Sequence, residues 1–413
     1  MIENGDLIVR YLERLGVEYV FGVTGGSIEP FYNALARSER RGGPKAVLAR
    51  HEAGAAFMAD GYARATGKIG VCCSTSGPGA TNLLTGVANS FADSVPLLVI
   101  TAQPAIERFG LGAFQEGSCT GINTVTIFDS CTRYNTLVSH PAQLEHKLLT
   151  AISYALSNQR GPVHLSVPLD IMRAKVPDTS GRQNMRAFIN HDVVPSADAL
   201  HLLLKELACV KSATLLLGEG AEGAINELLA LAEARQWQIV TTPMGKGLVS
   251  EFHPLYRGVF GLGGHDSARV ALLPENAERV LVVGTALDEV TTGGWDPQAV
   301  LSNRLIHLSN NPEHLNRSVL AKLCVLGSPK LLLKPFSKYL EVDQARSDVR
   351  YLPGPDGFPE KVNFSNKDAC FSDATPIKPQ ALLWTLSQIC PNNARVLMDT
   401  GNSFLWGIHY WHT

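Results

Sequence analysis

A regular alternation of short apolar runs with helical stretches is the feature that most constrains the fold, and it extends from residue 6 to about residue 176. The apolar runs are far shorter than the roughly 20 residues that a membrane-spanning helix needs. Their β-branched composition is typical of strands buried on both faces of a parallel sheet. We therefore predict an α/β fold, an open and mostly parallel sheet flanked by helices, with strands near 19–23, 46–49, 69–73 and 97–100 and helices near 6–15, 28–37, 52–66, 79–91 and 141–157.

A second alternation follows a polar segment without periodicity, and it predicts a second domain of the same class. Its strands are expected near 213–218, 238–241, 279–284 and 304–308, and its glycine turns favour a Rossmann-like domain, although the strict GxGxxG spacing is missing. The expected organisation is 1–176 as a first domain, 177–195 as a linker, 196–344 as the Rossmann-like central domain, 345–376 as a second linker and 377–413 as the incomplete start of a third domain.

The last of these segments contains one predicted helix, near 378–390, and one predicted strand, from Arg395 to Asp399. One helix and one strand cannot bury a core by themselves. The segment is therefore expected to need further structure that packs against it.

Composition argues against several classes of function. The formal net charge is −2, which favours neither a nucleic-acid surface nor a membrane surface. The N-terminus has neither a basic nor an apolar leader region, so a cytoplasmic location is expected. The 8 cysteines show no CxxC pair, so reduced thiols are expected, and we predict no metal ligands in this sequence.

Candidate functional residues lie where predicted strands end. Glycine turns follow two of these strands, at Gly25-Gly26 and at Gly77-Pro78-Gly79, and ligands bind at the carboxyl ends of the strands in open α/β sheets. Gly25 and Gly26 are expected to supply positive φ angles or close backbone approach, as in an ordinary βα turn. Glu52 stands in the first turn of a helix rich in small residues, where a carboxylate is also favoured by the helix dipole alone.

Four motifs together resemble the thiamine-diphosphate-dependent enzymes of the acetolactate synthase type. Their order and spacing are more specific than any one of them, and they are Phe21-Gly22-Val23-Thr24-Gly25-Gly26, Arg50-His51-Glu52 with Ala59-Asp60-Gly61-Tyr62-Ala63-Arg64, Ser76-Gly77-Pro78-Gly79-Ala80-Thr81-Asn82, and Ala113-Phe114-Gln115-Glu116. The resemblance implies a pyrimidine-binding domain, a central domain and the beginning of a diphosphate-binding domain.

The resemblance implies that Glu52 is the catalytic glutamate that hydrogen-bonds the aminopyrimidine ring of thiamine diphosphate. A carboxylate at the ring nitrogen favours the imino tautomer, which removes the thiazolium C2 proton. It further implies cofactor contacts from Gly25, Gly26, Gly77, Pro78, Gly79, Asn82, Gly401 and Asn402, and substrate contacts from Ser27, Phe114 and Gln115. For Gln115 a solvated loop amide, and for Gly401 and Asn402 a simple strand-end turn, remain equal alternatives.

The resemblance also implies Mg²⁺, which requires hard oxygen ligands. The Gly-Asp-Gly segment that holds the metal in the family does not occur, and Gly354-Pro355-Asp356-Gly357 lacks the preceding strand, so the ligands are expected in a missing domain. FAD is doubtful, because Val283-Gly284-Thr285-Ala286-Leu287-Asp288 and His307-Leu308-Ser309-Asn310 depart from the flavin-binding pattern of the family.

The implied activity is decarboxylation of a 2-oxo acid such as pyruvate and transfer of the resulting acyl unit to an acceptor, in a homodimer or homotetramer. No nucleic-acid or membrane partner is expected. Alternatives are another thiamine-diphosphate decarboxylase, ligase or C–C hydrolase, and a noncatalytic truncated chain or half of a split enzyme that needs a separate diphosphate-binding partner.

Overall fold

The chain forms two compact units, Met1–His191 and Asp192–Thr413, in a computed structural model. The structure describes residues 1–182, 184–185, 193–339, 357–391 and 394–412. The boundary between the units falls inside the predicted linker at 177–195, while residues 345–356 of the second predicted linker, with most of the Gly354 to Gly357 segment, lie outside the described residues. The boundaries at 176, 344 and 376 stay predictions.

The first unit is built on a parallel six-stranded sheet. Its strands follow the order β3-β2-β4-β5-β7-β6, and a short antiparallel pair, β1 and β8, lies beside the sheet. The strands are β1 Ile2–Glu3, β2 Tyr19–Gly22, β3 Lys45–Leu48, β4 Gly70–Ser74, β5 Leu97–Gln103, β6 Tyr134–Leu137, β7 Val163–Pro168 and β8 Lys175–Val176.

Helices cover both faces of this sheet. They are α1 Asn4–Arg14, α2 Glu29–Glu39, α3 Glu52–Thr66, α4 Pro78–Ala92, α5 Thr124–Asp129, α6 Leu144–Ala155 and α7 Leu169–Arg173. Leu7, Phe31 and Leu148 share one hydrophobic cluster, from α1, α2 and α6, whereas Ala56 and Leu83 belong to another, from α3 and α4. The predicted α/β class is confirmed, and β6 and β7 are strands that the sequence pattern missed.

The second unit repeats this architecture. Its parallel sheet has the order β11-β10-β9-β12-β13-β14, with β9 Ala213–Leu217, β10 Gln238–Thr241, β11 Tyr256–Val259, β12 Arg279–Val283, β13 Leu305–Ser309 and β14 Leu323–Leu326. Its helices are α8 Ala197–Cys209, α9 Ile225–Arg235, α10 Asp266–Leu272, α11 Glu289–Thr292, α12 Pro312–Leu315, α13 Pro329–Tyr339, α14 Pro379–Ile389 and α15 Asn402–Tyr410.

The strand predicted from Arg395 to Asp399 is wrong. Residues 394–399 have no regular secondary structure, and Leu397 is 93% exposed. A strand needs a neighbouring strand to pair its backbone groups, and this segment pairs with no strand in the described part of the chain. The continuous apolar run from Val396 to Met398 was not sufficient by itself.

Candidate active site

Glu52 lies at the carboxyl edge of the first sheet and is held by a neighbouring helix. It is the first residue of α3 and is only 8% exposed. Its Oε2 accepts a hydrogen bond of 3.0 Å from Nδ2 of Asn82, which lies in the second turn of α4. An amide donor on one oxygen fixes the orientation of the carboxylate.

The local sequence places Glu52 at a helix start. The His51 ring Nδ1 accepts the Ala53 backbone N–H at 3.1 Å and so caps the start of α3, and Gly67, with a left-handed φ of 69°, caps its end. Helix α4 crosses α3 closely, because a Cβ on Gly86 would lie 2.5 Å from Cβ of Ala56. The close crossing of two helices therefore brings Asn82 to Glu52.

A half-buried threonine, Thr75, connects the glycine turns that the sequence singled out. A Cβ on Gly25 would lie 2.5 Å from the Thr75 Cβ, and a Cβ on Gly79 would lie 2.9 Å from its Cγ2 and 3.3 Å from the Glu52 Oε1. At each of these two positions glycine is therefore required because a Cβ would collide with Thr75, and not because of the backbone φ.

The expectation of a positive φ at Gly25 and Gly26 is wrong, because neither residue adopts one. At Gly25 the steric demand of Thr75 takes its place. A Cβ on Gly26 would meet no other described atom within 4 Å, so the structure gives no packing reason for that glycine.

The Gln115 loop lies against the start of α4. Gly77 has a φ of 62°, and a Cβ there would lie 2.8 Å from the Gln115 Cβ and 3.0 Å from its carbonyl oxygen. Gln115 itself has a φ of 57°. Ser27 Oγ lies 3.4 Å from the Oγ of buried Ser76, next to Gly77. Turns after two strands and the loop after a third therefore meet at one edge of the sheet.

Neutral groups line the inner side of this edge. The Cys73 thiol donates to the Tyr32 hydroxyl at 3.6 Å. Burial raises the pKa of Cys73 to about 12. Burial also raises the pKa of Tyr32 above its usual range, assisted by Cys73 and by the carboxylate of Glu52. Glu52 therefore faces no charge from these two side chains near neutral pH.

Two further predicted residues of the first unit are exposed to solvent. Phe114 is 85% exposed, and Pro78 is exposed at the first turn of α4. Gly401 and Asn402 belong to the second unit, where Gly401 precedes α15 with a φ of 118°. The roles assigned to all these residues stay predictions.

In the second unit, the glycine turns pack against other parts of the same unit. A Cβ on Gly284 would lie 2.3 Å from the Gly220 carbonyl carbon, and a Cβ on Gly245 would lie 2.3 Å from the Leu217 carbonyl oxygen. A Cβ on Gly263 would lie 3.1 Å from Cα of Leu405 in α15. Backbone atoms of the same unit therefore occupy the space beside these turns.

Metal binding and membrane insertion each require a recognisable arrangement of residues. No group of three or more His, Cys, Asp or Glu side chains in the described ranges is arranged to hold a metal ion. Among the helices that the structure describes, none has the combined length and apolarity needed to cross a bilayer.

Two residues of the site escaped the sequence reasoning. Thr75 directly follows β4 and carries no motif signal, although its position two residues before Gly77 could have drawn attention to it. Gln103 ends β5 and bonds to a residue 14 positions away, and no local pattern indicates such a contact.

Comparisons with known proteins match both units of the chain. Residues 2–122 match the family model "Thiamine pyrophosphate enzyme, N-terminal TPP binding domain", and residues 200–336 match "Thiamine pyrophosphate enzyme, central domain". An acetolactate synthase of Arthrospira platensis is 33% identical over 97% of this chain and 68% of its own length. The acetolactate synthase isozyme 3 large subunit of Escherichia coli is 30% identical over 100% of this chain and 70% of its own length.

Proposed function

The chain belongs to the thiamine pyrophosphate enzymes, among the acetolactate synthase large subunits, and from this we propose that it decarboxylates a 2-oxo acid such as pyruvate and transfers the remaining acyl unit to an acceptor. One observation carries the proposal. Glu52 is buried at the carboxyl edge of the first sheet, with one carboxylate oxygen held by Asn82 and the other 3.3 Å from the Cβ position of Gly79.

The residues of this edge fit the aminopyrimidine part of thiamine diphosphate. The Glu52 Oε1 receives no hydrogen bond from the described part of the chain, and the side of α4 that it faces carries no side chain at residue 79. An acceptor beside a side-chain-free helix start suits a flat ring that presents an N–H donor. When bound, thiamine diphosphate supplies a carbon nucleophile and an electron sink for the loss of CO₂.

In this proposal each residue of the edge has a separate task. Glu52 accepts and returns a proton at Oε1, and Asn82 keeps the carboxylate in the orientation that this exchange requires. Gly79 leaves the space for ring approach. Gln115 presents an amide that can hydrogen-bond the carboxylate or carbonyl of the 2-oxo acid, and its loop helps to exclude water.

The test is to supply the complete assembly, which includes the diphosphate-binding domain that provides the Mg²⁺ ligands, with thiamine diphosphate, Mg²⁺ and pyruvate. We expect release of CO₂ and formation of acetolactate, each dependent on added thiamine diphosphate. If the chain binds thiamine diphosphate and Mg²⁺ and still releases no CO₂ from pyruvate, this substrate assignment is wrong. The matched control omits the cofactor and keeps the metal.

A second candidate, half of a split enzyme, is favoured by the surface of the C-terminal segment. Large apolar side chains are exposed there, and they are Phe371, Ile377, Leu382, Ile389 and Leu397. Exposed apolar side chains so close in sequence are typical of a surface that another domain covers. We propose that a diphosphate-binding domain, in this chain or a partner, covers it and provides the Mg²⁺ ligands. Titration of the isolated chain with thiamine diphosphate and Mg²⁺ distinguishes a domain in this chain from a domain in a partner. Only a chain that contains the complete site binds both the cofactor and the metal tightly.

We propose that the central domain holds no FAD. The packing of Gly284 on Gly220, and of Gly263 on Leu405, supports this, because the backbone that would approach a dinucleotide approaches other backbone instead. No step of the proposed reaction depends on a flavin.

We propose that two copies of the chain associate through α3. Phe57 and Met58 are 45% and 38% exposed, and Cβ atoms on Gly54 and Gly61 would meet no other described atom within 4 Å. Spacing of three, four and seven residues places all four on one face of the helix. That face combines two apolar side chains with two glycines that allow close approach, which suits a second copy of the same helix.

Phe57→Glu is expected to weaken this association. The change places a charge at the centre of the proposed interface, and the dissociation constant of the dimer should rise at least about tenfold, as for an interface anchor. Sedimentation equilibrium measures it. Val319→Glu is the matched control, since Val319 is 85% exposed in the second unit. If both variants stay as dimeric as the wild type, α3 is not the interface.

A further inference from the structure

The loop that carries Gln115 is anchored at one buried point. Gln103, the last residue of β5, is 1% exposed. Its Oε1 accepts the Gly117 N–H at 2.9 Å, and its Nε2 donates to the Gly117 carbonyl oxygen at 3.0 Å. One side-chain amide therefore satisfies both backbone groups of a loop residue, as a neighbouring strand would.

This anchor is connected to the core of the sheet. The Gln103 Nε2 also lies 3.1 Å from Ser166 Oγ on β7. A Cβ on Gly117 would lie 2.2 Å from Thr124 Oγ1 and 2.9 Å from the Gln103 Nε2, so no other residue fits at position 117 without displacing the anchor. Two central strands and the start of α5 thus fix the position of Gly117.

The loop between Gly117 and the carboxyl edge of the first sheet, where Glu52 lies, is folded onto itself. Glu116 accepts hydrogen bonds from the hydroxyls of Ser118 and Thr120 and from the Gly110 N–H. Gln115, two residues before Gly117, rests its backbone on Gly77 in a left-handed conformation. A short, internally bonded segment transmits the position of Gly117 to Gln115.

We propose that Gln103 is a positioning residue, which fixes Gln115 against Gly77 and thereby places the Gln115 amide for the 2-oxo acid. The inference rests on the proposed function, in which Gln115 contacts the substrate. Gln103 itself contacts neither substrate nor cofactor. Its effect is expected on binding and alignment of the 2-oxo acid, and not on binding of thiamine diphosphate at Glu52.

Three variants of the full chain separate positioning from general stability. Gln103→Ala removes both bonds to Gly117. Gln103→Glu keeps the acceptor for the Gly117 N–H and loses the amide donor. Thr101→Val is the matched control, because Thr101 is equally buried on the same strand and bonds His164 at 2.8 Å without touching the loop.

Amide hydrogen exchange of residues 110–121 is measured first, since it needs no activity. Gln103→Ala should accelerate exchange there at least about tenfold, Gln103→Glu by less, and Thr101→Val not at all. Steady-state kinetics with pyruvate, thiamine diphosphate and Mg²⁺ follow. Gln103→Ala should lower kcat/KM for pyruvate about 10 to 10²-fold, the effect of small misplacement, with the KM for thiamine diphosphate unchanged within about twofold.

Unchanged exchange in Gln103→Ala, or an equal change in Thr101→Val, overturns the proposal. An equal rise in the KM for pyruvate and in the KM for thiamine diphosphate overturns it as well. Failure of the proposed function has a different signature, because a wild-type chain without turnover still shows whether Gln103 holds the loop.

Discussion

Replacement of Glu52 by glutamine is expected to lower turnover of pyruvate by about 10²- to 10⁴-fold, the range for loss of a positioned proton transfer. Glutamine keeps the size of the side chain and its acceptor toward Asn82, but it cannot take a proton at the second position. The measurement is steady-state CO₂ release at saturating thiamine diphosphate and Mg²⁺. Turnover within about threefold of the wild type would remove Glu52 from the mechanism.

Glu29→Gln provides the matched control for this result. Glu29 is the first residue of α2, as Glu52 is of α3, so both variants lose the same favourable interaction with a helix dipole. Glu29 pairs with Arg173 on the surface of the unit, at 2.7 Å. Turnover of Glu29→Gln should equal that of the wild type, which separates catalysis by Glu52 from the chemistry of a helix end.

Gly86→Ala is expected to damage both stability and activity. The added methyl group would lie 2.5 Å from the Ala56 Cβ and 3.2 Å from the Phe57 backbone nitrogen, so α4 must move away from α3. Overpacking of this kind costs about 1–3 kcal/mol of unfolding free energy. The same displacement separates Asn82 from Glu52, and we expect turnover to fall about tenfold because a carboxylate that is no longer held loses alignment.

Hydrogen exchange of the β4 and β5 amides measures the loss of stability, and CO₂ release measures the loss of activity. Gly181→Ala is the control in the same unit, because a Cβ there would meet no described atom within 4 Å. The β4 and β5 amides of Gly86→Ala could prove as protected from exchange as those of the wild type. In that case the helix crossing tolerates a methyl group and does not set the Asn82 contact.

The α/β architecture could be predicted because burial of a parallel strand leaves a direct mark on composition. Residues of β4 and β5 are all buried, and β4 and residues 97–102 of β5 appear in the sequence as uninterrupted runs of apolar or small residues. In contrast, β6 has no fully buried residue and reads Tyr-Asn-Thr-Leu, so its half-polar composition does not distinguish it from a loop. The interior strand β7 was missed as well, although all of its residues are buried, because His164 and Ser166 interrupt its apolar pattern.

The site was predictable only where a residue's type already restricts its role. Glu52 and Asn82 were both named, yet their 3.0 Å contact depends on the crossing of α3 and α4, which no local pattern reports. The positive φ expected at Gly25 is not observed, since a sequence does not reveal whether glycine is required by φ or by the Thr75 side chain. The Gln103 contact joins residues 14 apart and depends on the folded sheet.

The division into two units has a spectroscopic consequence. All 5 tryptophans, at positions 237, 295, 384, 406 and 411, belong to the second unit, and the first unit contains none. Indole emission therefore reports unfolding of the central and C-terminal segments alone. A tryptophan introduced beside Glu52 would add a probe of the first unit, and the difference in emission between this variant and the wild type would report ligand binding there.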